Sequence, residues 1–340
     1  MNSKNIDWKN LGFDYMELPY RYRAYFREGS WQEQGLTEQS HLTLSEASTG
    51  LHYGQQGYEG LKAYRTKEGS IQLFRPEENA KRLQETCRRL AMPEVPTEMF
   101  VDAVKQVVLA NEDFVPPYET GATLYLRPLI IGVGGMLGVQ SAKEFLFTIF
   151  AMPVGVYFNK NKGNKKFVIA HEDDRVAPKG TGHIKAGGNY GGSIQTIEQA
   201  HEKGYDGVLY LDSKTHEYVE EAGSANVFGI SKTGKLITPN STSILPSITK
   251  YSLLQLARER FDLEVIEEPI PLDQLDSFEE MSACGTAAVV TSIGQVDDLK
   301  YGKSYHYKTE DTLSQKLKNE LLGIQFGDIQ APERWIVKVK

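Results

Sequence analysis

Cysteine is almost missing from this chain, whose 340 residues hold two, Cys87 and Cys284. That excludes a disulfide framework and a cysteine-rich zinc site, and it suits a reducing compartment, so a cytoplasmic protein is expected. Long apolar runs are missing too. The longest near-continuous one, Phe145 to Phe158, is too short to cross a bilayer and contains Pro153, so it reads as a buried strand. The opening residues MNSKNIDWKN lack the apolar centre of a signal peptide. There is no excess of positive charge. The formal net charge of −7 argues against a nucleic-acid surface. No G-x-x-x-x-G-K-[ST], H-E-x-x-H or G-x-S-x-G occurs, and the seven histidines show no ligand spacing, so no metal is expected. GVGGMLG, residues 132–138, approaches a dinucleotide fingerprint, but Leu137 takes the third glycine position and the run reads as a loop between strands.

What is present is an ordinary globular composition, 40% apolar and 24% charged, long enough for one large or two ordinary domains. Strand patterns are expected at Gly60–Arg65 and Ile71–Phe74 around the turn Lys67–Gly69, with helices at Pro76–Leu90 and Thr97–Ala110. Thr123–Ile131 and Phe145–Phe150 read as strands. NKNKGNKK, residues 159–166, reads as a solvated linker between a domain 1–158 and a domain 167–340. Beyond it come hairpins Gly207–Asp212/Tyr218–Glu221 and Asn226–Ile230/Lys235–Thr238, and helices Ser193–Lys203 and Ser247–Arg260. The fold class is α/β or α+β with two domains.

Four segments stand out as candidates for chemistry. Lys185 lies in GTGHIKAGGNY, residues 180–190, with glycine at 180, 182, 187 and 188 and no other charged residue in the run. Two readings stand: a solvated lysine on a flexible loop, or an amine in a tight, weakly polar site suited to attack on a carbonyl. ILPSITKYSLL, residues 244–254, turns through Pro246 and Ser247 into a helix whose first N–H groups would face outward at its positive end. CGTAAVV, residues 284–290, offers the Thr286 hydroxyl and N–H groups at a turn. Glu221, in YVEEAGSANVF, reads by itself as a solvated turn residue.

Taken together with HYGQQGYEGLKAYR (52–65), LFRPEENAKRLQ (73–84), LYLRPLI (124–130) and PVGVYF (153–158), these runs place the chain beside a family. From about Phe13 to Gln325 it resembles the branched-chain amino-acid aminotransferases, pyridoxal-phosphate enzymes of fold type IV. The resemblance implies a smaller N-terminal α/β domain and a larger, barrel-like C-terminal domain carrying the lysine. It implies Lys185 as the residue bonded to pyridoxal 5'-phosphate and as the base of the reaction. Glu221 resembles the acid facing the cofactor's ring nitrogen, and Tyr190 the partner of its ring oxygen. Arg82, the N–H groups of Ile248 and Thr249, and Thr286 are similar to the phosphate ligands.

For the substrate, Phe13, Tyr58, Tyr125 and Tyr157 resemble the aromatic walls around a branched side chain. Thr286 and Ala287 resemble the donors to the α-carboxylate, while Arg127, Tyr125 and Tyr53 are similar to the rim that accepts glutamate's second carboxylate. Tyr53 would come from a partner subunit, implying a homodimer. The implied reaction is transamination of L-leucine, L-isoleucine and L-valine with 2-oxoglutarate. No nucleic-acid or membrane partner is implied. The chain departs from the family pattern at Tyr58, usually Phe, at Ser224, usually Thr, and at Ser247, usually Gly. It also lacks the cysteine pair that some animal members carry beside the GTAAVV run. D-amino-acid transaminases and aminodeoxychorismate lyases share the lysine and the acid, and LYLRPL and the chain length favour the branched-chain reading.

Overall fold

The computed structural model describes residue 3 and residues 6–155 and 164–340. The chain divides into two compact units: Met1–Tyr157 with Ile184–Gly188 and Gly323–Lys340, and Phe158–His183 with Asn189–Leu322. The segment with Lys185 thus belongs to the first unit, whereas the sequence reading put it in the C-terminal domain. The expected linker also ends early. Strand Lys165–Ala170 begins inside it, because Lys165 is buried and its Nζ pairs with Asp206 Oδ1 at 2.8 Å.

In the first unit an eight-stranded sheet runs in the order Ile336–Lys338, Ile71–Phe74, Leu61–Arg65, Thr123–Gly132, Phe145–Val154, Arg21–Arg27, Ser30–Thr37. Gln56–Tyr58 is a further strand on Thr123–Gly132. Every pairing is antiparallel. Helix Pro76–Arg89 starts with Pro76, carries Glu77 and Glu78 in its first turn and Arg88 and Arg89 in its last, all matched to the helix dipole. It buries Asn79, Ala80, Leu83, Thr86 and Cys87, and helix Thr97–Ala110 buries Phe100, Ala103, Val104, Val107 and Val108. These stripes meet Leu124, Leu126 and Phe147 of the sheet in one core. A fully buried side chain such as Phe100 contributes about 1.5–3 kcal/mol.

Pro128 lies inside a strand that has neighbours on both sides, where a missing N–H would cost a ladder bond. It is tolerated because one neighbour breaks there. Gln56–Tyr58 pairs with 129–131 and Leu61–Arg65 with 124–126, so Pro128 faces the gap. Its carbonyl still accepts the Glu59 N–H at 2.8 Å. The interruption leaves Glu59 and Gly60 outside the ladder, directly after Tyr58, which is paired with Leu129.

In the second unit six strands close into a ring. Lys165–Ala170, Gly207–Leu211, Tyr218–Ala222, Ala225–Ser231, Phe278–Gly285 and Val289–Asp298 pair in that order and back to the first. This is the barrel-like architecture expected. Alternate residues serve different cores: Leu209 and Leu211 pack with Phe167, Ile169 and Met281, while Val208 and Tyr210 pack with Ala200. Ala200 comes from helix Ile194–Glu202. Among the described residues no helix is long and apolar enough to cross a membrane, and no cluster of His, Cys, Asp or Glu could hold a metal ion.

Candidate active site

In the first unit the Lys185 segment is held as a short extra rung. Its N–H donates to Thr86 Oγ1 at 3.0 Å, and its carbonyl accepts the Tyr58 N–H at 3.1 Å. Ala186 bridges Gly57, and the Gly187 N–H reaches the Gln56 carbonyl at 3.3 Å. This backbone is fixed, which rules against a flexible loop. Lys185 Nζ stands 4.8 Å from the centre of the Tyr58 ring, and the Arg127 guanidinium carbon is also 4.8 Å from that centre. Arg127 Nη2 donates to the Tyr125 hydroxyl at 3.3 Å. Gly60 is required beside it, since a Cβ there would lie 2.1 Å from the Tyr125 hydroxyl.

Arg82 has a partner that sequence spacing hides. Its Nε donates to Glu59 Oε1 and its Nη2 to Glu59 Oε2, both at 2.8 Å, a two-pronged fork. Glu59 is fully buried, and Asn79 Nδ2 also donates to its Oε2 at 2.8 Å. Each charge is compensated, and the fork fixes the plane of the guanidinium. Lys185, Arg127 and Arg82 outweigh the carboxylate of Glu59, so this cluster of the first unit favours anions.

In the second unit Glu221 is buried, not a solvated turn residue. Arg175 Nε lies 2.6 Å from its Oε2, and Asn226 Nδ2 donates to its Oε1 at 2.7 Å. Asn226 joins three segments. It pairs with Glu221 across the hairpin, its side chain reaches the Leu245 carbonyl at 3.2 Å, and on its other edge it pairs with Cys284. Leu245 leads into helix Ile248–Arg260 and Cys284 into the Thr286 turn, so the acid, the helix start and the turn converge. Ser247 caps the helix, its Oγ accepting the Lys250 N–H at 3.1 Å, which leaves the Ile248 and Thr249 N–H groups outside the helix ladder. Val289 closes the Thr286 turn at φ 57°, a conformation costly for a β-branched residue, by about 1–3 kcal/mol. Burial pushes the Cys284 and Cys87 thiols up to about 12, so neither is a thiolate nucleophile at neutral pH.

Glu220 is buried as well, because the strand bulges between Val219 and Glu221 and breaks the alternation of faces. Burial raises its carboxyl above the usual range. Ser241, which donates to its Oε1 at 2.5 Å, and the Arg175 charge oppose this, while Asp212 and Asp174 reinforce it. A raised acid favours folding while protonated and loses that contribution as pH rises through its folded-state value. Glu220→Gln is therefore expected to raise the melting temperature at pH 7, with the gap to wild type narrowing toward pH of about 4.3, the ordinary glutamate value. Melting curves across that range test it.

The remaining expected residues are placed as follows. Ser224 is exposed in the two-residue turn 223–224 between hairpin strands, and Ala287 lies in the Thr286 turn. Tyr190 is in the short helix Gly188–Gly191, its carbonyl accepting the Ser193 hydroxyl at 2.9 Å. Phe13 is partly buried next to Gly12, whose carbonyl accepts the Gly155 N–H at 3.2 Å. Tyr53 is 40% exposed and its hydroxyl donates to Leu137 O within its own chain. Tyr157 lies outside the described residues. Sequence reasoning missed Glu59, Asn79, Thr86, Arg175 and Asn226. For Glu59 a signal existed, an acid inside the matching Tyr-Glu-Gly run, while Arg175 sits in the charged stretch His-Glu-Asp-Asp-Arg and reads as surface.

Residues 57–296 match the family model described as Amino-transferase class IV. Over 346 aligned residues the chain is 52% identical to the branched-chain-amino-acid aminotransferase of Haemophilus influenzae, covering 99% of this chain and 100% of that one. The chain belongs to the class IV aminotransferases. The fold of this aminotransferase is similar to the crystal structure of the branched-chain amino acid aminotransferase from Thermobaculum terrenum in its PLP form. The TM-score is 0.76 at 25% identity, over 96% of this chain and 100% of that one. The same fold is seen in the branched-chain aminotransferase from the archaeon Thermoproteus uzoniensis with norvaline, with TM-score 0.77 and 23% identity over 94% and 100% of the two chains. Within this aminotransferase the span matched by the family model takes in Lys185, Glu221, the helix start and the Thr286 turn.

Proposed function

We propose that this aminotransferase transfers the amino group of L-leucine, L-isoleucine or L-valine to 2-oxoglutarate, giving branched-chain 2-oxo acids and L-glutamate, with pyridoxal 5'-phosphate as cofactor. The observation that carries the reading is Lys185, an amine on fixed backbone beside the rings and cations expected of a site for amino acids. The donor set fits the cofactor: an amine for an aldehyde, a buried carboxylate for a ring nitrogen, and an arginine and a helix start for a phosphate.

When bound, pyridoxal phosphate supplies a sink for the electrons left at the substrate α-carbon. Lys185 Nζ removes the α-proton and later returns it, one base serving two nearby carbons with little movement. Glu221, paired with Arg175 and accepting a hydrogen bond from Asn226, would favour a proton on the cofactor's ring nitrogen. Tyr190 binds the ring oxygen. Arg82, Thr286 and the N–H groups of Ile248 and Thr249 bind the phosphate. Tyr58, Tyr125, Phe13 and Tyr157 exclude water around the aliphatic side chain, and Ser224 borders it. Thr286 and Ala287 orient the α-carboxylate, and Arg127 meets the second carboxylate of glutamate. We assign the enzyme to the cytoplasm as a homodimer in which Tyr53 serves the partner's site.

The test is a panel of amino donors with 2-oxoglutarate. L-leucine, L-isoleucine and L-valine are expected to be turned over at least about a hundredfold faster, by kcat/KM, than D-alanine. Faster turnover of D-alanine than of all three would sink the reading.

A further inference from the structure

Thr86 is fully buried on helix Pro76–Arg89, and its hydroxyl is spent twice. Oγ1 accepts the Lys185 N–H at 3.0 Å and donates to the Arg82 carbonyl at 3.1 Å. A hydroxyl has one hydrogen to give, so this group already has a fixed orientation. Its methyl is equally committed. A Cβ on Gly57 would fall 2.5 Å from Thr86 Cγ2, so the helix approaches strand Gln56–Tyr58 as closely as glycine allows, at the residue that bridges Ala186. The other side of the lysine is tied too, by the Tyr58 N–H at 3.1 Å.

We propose that Thr86 is a positioning residue: its hydroxyl locks the backbone of Lys185 to the helix that carries Arg82. The inference rests on the reading of Lys185 as the reacting amine and Arg82 as a phosphate ligand. One helix then sets both attachment points of a single cofactor, through the Arg82 side chain and through Thr86. The hydroxyl's two hydrogen bonds both go to main chain, so it acts through the lysine's backbone. Its effect is on where Nζ stands when the proton moves, and a displacement of about 1 Å at such a step costs roughly a hundredfold in rate.

The test compares full-length Thr86→Val, nearly isosteric but without the hydroxyl, with Thr86→Ser, which keeps it. Thr86→Val is expected to lower kcat roughly ten- to a hundredfold with KM changed by less than about threefold. In the cofactor-free protein the Lys185 amide should exchange with solvent at least about tenfold faster than in wild type. Thr86→Ser should restore kcat to within about threefold and recover slow exchange. A valine variant with kcat within about twofold of wild type overturns the proposal, and so does a serine variant as impaired as the valine one, because the methyl would then be the operative group. If the valine variant does not fold, Thr86→Ala takes its place under the same criteria. Borohydride reduction of the wild-type holoenzyme followed by peptide mapping separates the two levels. A label away from Lys185 overturns the functional reading, whereas a label on Lys185 with normal Thr86→Val kinetics overturns this inference alone.

Discussion

Lys185→Ala is expected to lower transamination by at least about ten-thousandfold while the protein stays folded. The two halves of that result have separate causes. On the proposed role of Lys185, activity goes because one amine would do both the carbonyl attack and the proton transfers, and alanine supplies neither. The fold stays because what ties this segment down is main chain: the 185 N–H to Thr86, the 185 carbonyl to Tyr58 and the 186–57 bridge all survive a change of side chain. Alanine does remove the cation from beside the Tyr58 ring, which costs about 0.5–1 kcal/mol at a partly exposed position. Single-turnover assays and a melting curve measure both. Turnover within about a hundredfold of wild type would show that another group is the base.

The second large effect is expected at Glu221→Gln. Arg175 is buried, and a glutamine amide carries no charge and can accept from only one of Arg175 and Asn226 with its single oxygen, leaving a cation without its closest counter-charge. Breaking one side of such a buried pair costs about 3–5 kcal/mol, and on the proposed role of Glu221 as the acid at the ring nitrogen kcat should fall about a hundredfold or more. Glu220 would soften the blow, since it already lies within the field of Arg175. Replacing both acids should therefore cost more than the sum of the single changes, a coupling that urea denaturation of the four proteins would resolve. A Glu221→Gln protein as stable as wild type at neutral pH would remove Arg175 from its assigned role.

The contrast between these residues shows what a sequence can and cannot carry. Hairpin Leu61–Arg65/Ile71–Phe74 and helices Pro76–Arg89 and Thr97–Ala110 are legible because local periodicity, turn residues and burial agree. Hairpin Arg21–Arg27/Ser30–Thr37 is not, because its outer strand SWQEQGLT is largely solvated and has no apolar face to alternate. Lys185 and the Ser247 cap announce themselves through neighbouring residues. Glu59 with Arg82, and Arg175 with Glu221, are pairs whose members lie far apart in the chain, on elements that only folding brings together. The membership of Lys185 in the first unit rests on a few main-chain bonds, which leave no mark on composition.

The ring in the second unit bears on self-association. Strand Ala225–Ser231 shares one edge between two partners, Tyr218–Ala222 and Leu236–Thr238, and two paired positions complete the circle. Closed in this way, those six strands present no full-length unpaired edge on which another chain could add and begin an aggregate. The open sheet of the first unit has no such protection from topology. Its terminal strand Ser30–Thr37 relies instead on polar side chains and on a slipped register between Arg23 and Tyr25. Resistance to aggregation therefore comes from connectivity in one half of the molecule and from composition in the other.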